Sequence, residues 1–289
     1  MAISNFIPSV WRENLFAQLN NNYVGVKHCN REYEGDIIGK GSVVNIPGLE
    51  TVNIFNYTKG SDMTAPQSAI SGNNQLVINQ AKAFNFLIDD VDRIQNNPKL
   101  MEEAIRNAAR ALAKTADRYV YSMFEEDNVE DEYGAIDIYN YDTNVDNVIE
   151  TIIKGINKLY KNDVTSADDL VVEVSPDIAM LIMKAKADLG VNNGDAIESG
   201  CIGRINGCKV FVSNNVYVVS GSDGIQHRCF IRTKRAIAFA EQLSEINAYR
   251  PEKRFADAVK GLHLYGAKLV RPKEFAIVDL FTPDNGEDA

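Results

Sequence analysis

Histidine, cysteine and tryptophan are scarce in this chain: three His, four Cys and one Trp in 289 residues. His28, His227 and His263 lie far apart and form no HxH or HxxxH pattern, so the usual metal-binding spacings are missing. Cys29, Cys201, Cys208 and Cys229 are too few for a disulfide framework at this length and read as free thiols of a reducing compartment. The gap between Cys201 and Cys208 is wider than a zinc knuckle. Structural thiols and surface imidazoles are the preferred reading. Positive charge is also in deficit, with 30 Lys and Arg against 40 Asp and Glu, a net charge of -10. Phosphate contact needs Lys and Arg, so a nucleic-acid-binding surface is excluded as the main function. No apolar run approaches the roughly 18 residues of a membrane span. The opening MAISNFIPSVWREN has neither the basic nor the apolar region of a signal peptide. These absences point to a protein of the cytosol.

Recognisable chemistry is absent too. There is no G-x-S-x-G elbow for a serine hydrolase. Gly35 to Ser42 has glycines and a lysine, but its spacing is wrong for a phosphate loop and it leads into a strand instead of a helix. The acidic run Glu125 to Glu132 lacks the alternating order of a calcium loop. Asp89, Asp90 and Asp92 precede a helix and suit its N-terminal dipole or Arg93 and Arg106. We assign no catalytic, cofactor-binding or metal-binding residue. The chain is not expected to be an enzyme, and binding or assembly remains.

What is present is a strong pattern of elements. Pro98 to Phe124 is the longest helical stretch, with Leu100, Ile105, Ala108, Leu112, Ala116, Tyr119 and Met123 on one stripe. Asn97 can cap it, Pro98 suits its first position, and Glu102 and Glu103 lie in its first turn. It is expected to be a structural spine. Ahead of it, Met1 to Arg31 forms an arm with Trp11, Leu15 and Leu19 on one helical face, stopped at Asn20 to Asn22. So short an arm has little core and must dock elsewhere.

Between arm and spine the period becomes two. Ser42 to Pro47, Thr51 to Tyr57, Gln75 to Asn79 and Ala83 to Asp89 read as strands, and the polar stretch Thr58 to Asn74 reads as the tip of a long hairpin-like loop. With few large apolar residues on both faces, this hairpin is not expected to be buried in its own domain, and its open edges are a liability unless a partner covers them. After the spine, Asn144 to Tyr160 is a helix with Val148, Ile152, Ile156 and Leu159 on its inner face. Asp169 to Ser175 is a buried-type strand, and Pro176 opens a helix to about Leu189. Cys208 to Ser213, Val216 to Ser220 and Arg228 to Arg232 are further strands, Arg235 to Leu243 is mixed, and Val259 to Val270 and Phe275 to Leu280 are β-like. The alternation describes an α/β subdomain entered from, and left for, a first domain.

This order of elements resembles the major capsid protein of tailed bacteriophages, the Hong Kong 97-type fold. The resemblance rests on Val43-Val44-Asn45-Ile46-Pro47, Asn56-Tyr57, Leu76-Val77-Ile78 and the passage Ala83 to Arg93 into the spine. Val171 to Pro176 and the G-x-I-x-G-x-x-V stretch Gly203 to Val210 resemble the axial-domain pattern. It covers nearly the whole chain.

The resemblance implies an α+β fold with an N-terminal arm (1–34), an extended β-hairpin loop (35–92), a peripheral domain with the spine helix (93–140), an α/β axial domain (141–245) and a return with an acidic tail (246–289). It implies self-assembly through hexamers and pentamers into an icosahedral shell around double-stranded DNA, without sequence-specific DNA binding and without a membrane. A separate scaffolding protein and a portal are the implied partners, the virion the location, and host cytoplasm the place of assembly. Inter-subunit contacts are expected at Trp11, Tyr57, Lys59, Asp62, Gln75, Gly203 and Arg204. Lys59 and Lys82 are available for a covalent crosslink between neighbours, but no matching Asn and catalytic Glu is identified, so no crosslink is expected. The alternatives are an encapsulin-type compartment shell and, from a different class, a small-molecule enzyme with Gly190 to Gly207 as a lid.

Overall fold

The structure is a computed structural model that describes residues 8–33, 41–49, 54–60, 62, 65, 70–89, 100–125, 135–137, 145–164, 169–188, 201–221, 224–253 and 255–282. Four α-helices and twelve strands among these residues make an α+β fold with two principal sheets.

The arm is helix α1 (Pro8–Asn22) and the spine is helix α2 (Leu100–Val120). At 21 residues α2 is about 32 Å long. It ends at Val120, where the chain tightens into a 3-10 turn over Met123–Glu125, earlier than the periodic stripe suggests. The start signals at Asn97 and Pro98 lie outside the described residues. Its inner face buries Ile105, Ala109, Leu112, Ala113, Ala116 and Val120, while Ala108 and Tyr119 are only half-buried. Asp117 is buried on the same face. The arm docks here: Leu15 and Leu19 of α1, then Tyr23, Val26 and Cys29, join the α2 residues in one core. The Trp11 side chain lies outside the described residues.

Beyond α2 this core rests on a three-stranded antiparallel sheet in the order β10 (Ile237–Tyr249), β11 (Ala256–Leu269), β3 (Gln80–Asp89). Arg235 to Leu243, read as mixed, begins the long strand β10; its small residues at Ala238 and Ala240 weaken the strand signal. The other face of this sheet carries the expected hairpin. β1 (Val43–Leu49) and β2 (Ile70–Val77) pair antiparallel, Val43 opposite Val77. Two expectations need correction. Ile54 to Tyr57 has no strand partner and forms no strand. The hairpin base is not free of its own domain: Val44, Ile46, Leu76 and Ile78 are buried against Ala238, Ala240 and Leu264. Gly266 permits that contact, because a Cβ there would lie 2.3 Å from the Val77 carbonyl oxygen.

The second sheet has seven strands, in the order β4 (Ala135–Asp137), β12 (Phe275–Thr282), β9 (Gly224–Thr233), β5 (Leu170–Val174), β7 (Cys208–Val212), β6 (Cys201–Ile205), with β8 (Val218–Gly221) also on β9. β5 runs parallel to β7, and β12 parallel to β4. Helices α3 (Val145–Lys161) and α4 (Pro176–Asp188) cover it. The inner stripe Val148, Ile152, Ile156 and Leu159 packs on Val172, Ile231 and Val278. Asn206 (φ 49°) and Gly207 (φ 85°) make the two-residue turn that joins β6 to β7, the positive-φ pair a tight hairpin requires. The C-terminal strands divide: β11 joins β3 and β10, whereas β12 lies inside the seven-stranded sheet.

Candidate functional site

The segment Tyr23 to Arg31 leads out of α1 and threads between both sheets and the spine, so its polar backbone must find partners in the interior. Asp117 of α2 accepts the backbone N–H groups of Val24 and Val26 at 3.1 and 3.0 Å, and Asn215 Nδ2 at 3.3 Å. Arg232 of β9 donates to the carbonyls of Gly25 and His28 at 2.7 and 2.9 Å and to both carboxylate oxygens of Glu173 on β5. Glu173 also meets His28 Nδ1 at 3.0 Å. Asn30 closes the path, donating to Ile237 O and accepting from Phe239 N on β10, both at 2.8 Å. We call this constellation the buckle.

Its electrostatics follow from burial and pairing. Burial pushes Asp117 up to about 6, against the pull of the Val26 and Val24 N–H groups. Burial acts on Glu173 in the same sense, yet Arg232 and His28 hold it below the usual carboxylate range. Burial also raises the Cys29 thiol to about 11 and the Cys229 thiol to about 12, so neither is a nucleophile near neutrality. A second buried group extends the buckle: Glu241 of β10 accepts from the Tyr23 hydroxyl and from Arg31, and lies 2.8 Å from His263 Nε2.

One pair has the spacing of a nucleophile and its base. Ser175 Oγ lies 2.9 Å from His227 Nδ1, and His227 Nε2 lies 2.9 Å from the Thr282 hydroxyl. Ser175 and His227 are fully buried. The nearest carboxylate, Asp177, is 3.9 Å from the nitrogen that already faces the serine, and the other nitrogen meets a hydroxyl, so among the described residues no carboxylate orients the ring as a triad requires. Burial keeps His227 below its ordinary pKa. The pair ties the ends of β5, β9 and β12 together. Among the described residues no cluster of three or more His, Cys, Asp and Glu could hold a metal.

Sequence reading placed the three imidazoles at the surface; His28, His227 and His263 are all buried, each bonded to a side-chain partner, and Nδ1 of His263 is buried without one. Asp117, Glu173 and Arg232 were missed. The available signal was a charge at a position whose neighbours in pattern are apolar: Glu173 inside Leu170–Val174, and Arg232 after Cys229-Phe230-Ile231.

The expected contact residues do not converge on a cleft. Tyr57, Lys59 and Asp62 are exposed near the hairpin tip, and Gln75 is exposed on β2 opposite Asn45. Gly203 is buried on β6, beside an irregularity in register, with φ 143°; Arg204 next to it is exposed. Lys82 is half-buried on β3, opposite His263. Most of the Gly190 to Gly207 stretch, Asp90 and Asp92, and the acidic run after Glu125 lie outside the described residues. Near Tyr57, Ile54 is 97% and Phe55 49% exposed. The tip is thus apolar and exposed, on a buried base.

The model of the family described as "Phage capsid protein" matches residues 74–278. No curated protein sequence matches the chain. Among solved structures, one from Mycobacterium phage Che8 is 27% identical, with 89% of this chain and 90% of that chain covered and a TM-score of 0.66. The asymmetric unit of the bacteriophage PhiM1 mature capsid is 16% identical, covering 88% of each chain at a TM-score of 0.59. A virus-like particle from Pyrococcus furiosus is 12% identical, covering 93% of this chain and 98% of that chain at a TM-score of 0.57. The last two share the fold. The family match covers most of the chain: the chain belongs to the phage capsid protein family, with a Hong Kong 97-like fold, and is a structural protein that assembles with its own copies into the shell of a phage head.

Proposed function

We propose that the shell is an icosahedral array of hexamers and pentamers enclosing double-stranded DNA, and that the loop of each subunit lies over a neighbour. The observation that carries this reading is the contrast within one hairpin: Val44, Ile46, Leu76 and Ile78 are buried at its base, whereas Ile54 and Tyr57 are 97% and 67% exposed at its tip. Exposed apolar groups on a fixed support favour burial by another surface. In this reading the seven-stranded sheet with α3 and α4 belongs to the axial domain, with β4 and β12 drawn from outside residues 141–245, and the three-stranded sheet with α2, including β10, belongs to the peripheral domain. The loop, arm and axial segments, including Gly203 and Arg204, supply the subunit contacts. A net charge of -10 suits a wall that does not retain nucleic acid. Scaffolding and portal proteins are the proposed partners, and assembly takes place in host cytoplasm.

Electron microscopy of the expressed protein, alone and with its genomic neighbours, tests the proposal. Closed shells or hexameric and pentameric rings are expected. The variant Ile54→Asp, Phe55→Asp, Tyr57→Asp should remain folded and soluble but form no closed shell. Small discrete oligomers under every condition would overturn the reading.

A further inference from the structure

Among the described residues, two complementary β surfaces are unpaired. The first is the outer edge of β3. Its inner edge pairs with β11 through ten successive residues without a register shift, from Asp89 opposite Ala256 to Gln80 opposite Tyr265. Among the described residues no strand pairs with the other edge. Proteins blunt such edges with proline, bulges or charge. QAKAFNFLID has no proline and no bulge, and a single Lys in its interior. The second is Ile54 to Tyr57, Ile-Phe-Asn-Tyr, which carries strand-forming residues but has no strand partner and is exposed throughout.

We infer that Ile54–Tyr57 of a second copy adds as a strand to the free edge of β3. This inference rests on the proposed overlap of the loop with a neighbour and names the surface that receives it. Side-chain size supports the match. On β3, Phe84 and Phe86 turn toward the spine core, their rings 6.0 Å apart. The opposite row, Ala81, Ala83, Asn85 and Leu87, is exposed, and its two alanines leave room for large neighbours. Successive residues of an added strand point to opposite faces. Phe55 and Tyr57 would then share the alanine face. Main-chain hydrogen bonds would supply affinity and the aromatic–alanine contacts register, as in strand addition generally.

Cysteine pairing in assembled particles tests this. In a Cys201→Ser background, since the other three cysteines are buried, Phe55→Cys is combined in turn with Ala81→Cys, Ala83→Cys and Asn85→Cys. Lys260→Cys serves as the control: it is exposed on β11, one strand further in, about 10 Å from an added strand and too far for a disulfide. After mild oxidation, at least one β3 pairing should convert most monomer into dimers and multimers on non-reducing gels, and the control should not. A lysine crosslinker acting at Lys59 separates the two ideas. If it joins copies while no β3 pairing forms, the loop overlaps a neighbour elsewhere and strand addition is wrong. If neither joins copies, the overlap fails as well. Equal crosslinking at Lys260→Cys also overturns the inference.

Discussion

Arg232 grips Glu173 in a two-point contact, with Nε 2.9 Å from one carboxylate oxygen and Nη2 3.1 Å from the other, and neither side chain is more than 1% exposed. The two sit diagonally across β9 and β5, since Arg232 pairs with Val171 and Glu173 with Phe230. Removing one partner strands a buried charge, which costs about 3–5 kcal/mol. Arg232→Met should lower subunit stability by that amount in urea unfolding. Adding Glu173→Leu should recover much of it. The exposed Arg271–Glu274 pair, at 2.8 Å, should change stability by less than about 1 kcal/mol when broken.

Asp117 gives a pH dependence of defined sign. Its pKa rises from 3.8 to about 6 in the folded chain because it is buried. Its contribution to stability is therefore full below about pH 4 and is lost as pH climbs through 6, on the order of 3 kcal/mol in all. Glu173, held low, works oppositely: its contribution is present above the ordinary carboxylate range and lost as pH falls through its folded pKa. Asp117→Asn removes the first term alone. The stability difference between variant and wild type, measured by urea midpoints from pH 4.5 to 7.5, should change steadily in the variant's favour as pH rises. A constant difference would contradict this.

Gly266→Ala should loosen the hairpin. The new Cβ would meet the Val77 carbonyl oxygen at 2.3 Å, a backbone atom with little freedom to yield. Overpacking of this kind costs about 1–3 kcal/mol. Faster amide exchange should appear in β1 and β2, with α3 and α4 unchanged.

Leu19→Ala tests the docking of the arm. Leu19 is fully buried in the core shared with α2, so the cavity should cost about 2–5 kcal/mol. Limited proteolysis should then cut within α1 before the rest of the subunit.

Deleting the loop would not isolate its tip. Excising Tyr57 to Gln75 would take most of β2 with it, and Val44 and Ile46 would lose the strand that pairs with theirs. Charge substitutions at Ile54, Phe55 and Tyr57 probe the tip without that damage.

Legibility in the sequence followed the range of the interactions. Val148, Ile152, Ile156 and Leu159 announce α3 because one helix face meets one sheet, and Pro176 marks the start of α4 by local geometry alone. By contrast, β5 is buried on both faces, so no alternation distinguishes Glu173 from its neighbours. His28 looks like a surface residue beside Lys27 until Glu173, 145 positions later, comes within 3.0 Å. Asp117 falls on the apolar stripe of α2, and the amides of Val24 and Val26 and the side chain of Asn215, all more than ninety residues away, explain its burial. The exposed tip was misread as a strand because its pattern is a strand's; what it lacks within the subunit is a partner.

The buckle has a consequence for the order in which the subunit is made. Gly25 and His28 leave the ribosome early, but the guanidinium that binds their carbonyls belongs to Arg232, 207 and 204 residues later. Glu173, Asn215 and β10 are also late arrivals. A nascent chain that stops before β9 lacks Arg232 and β10, so the carbonyls of Gly25 and His28 and the backbone of Asn30 have no partners. Contacts of such sequence separation form slowly, and the seating of the arm becomes a completion signal, achieved only by chains synthesised through β10.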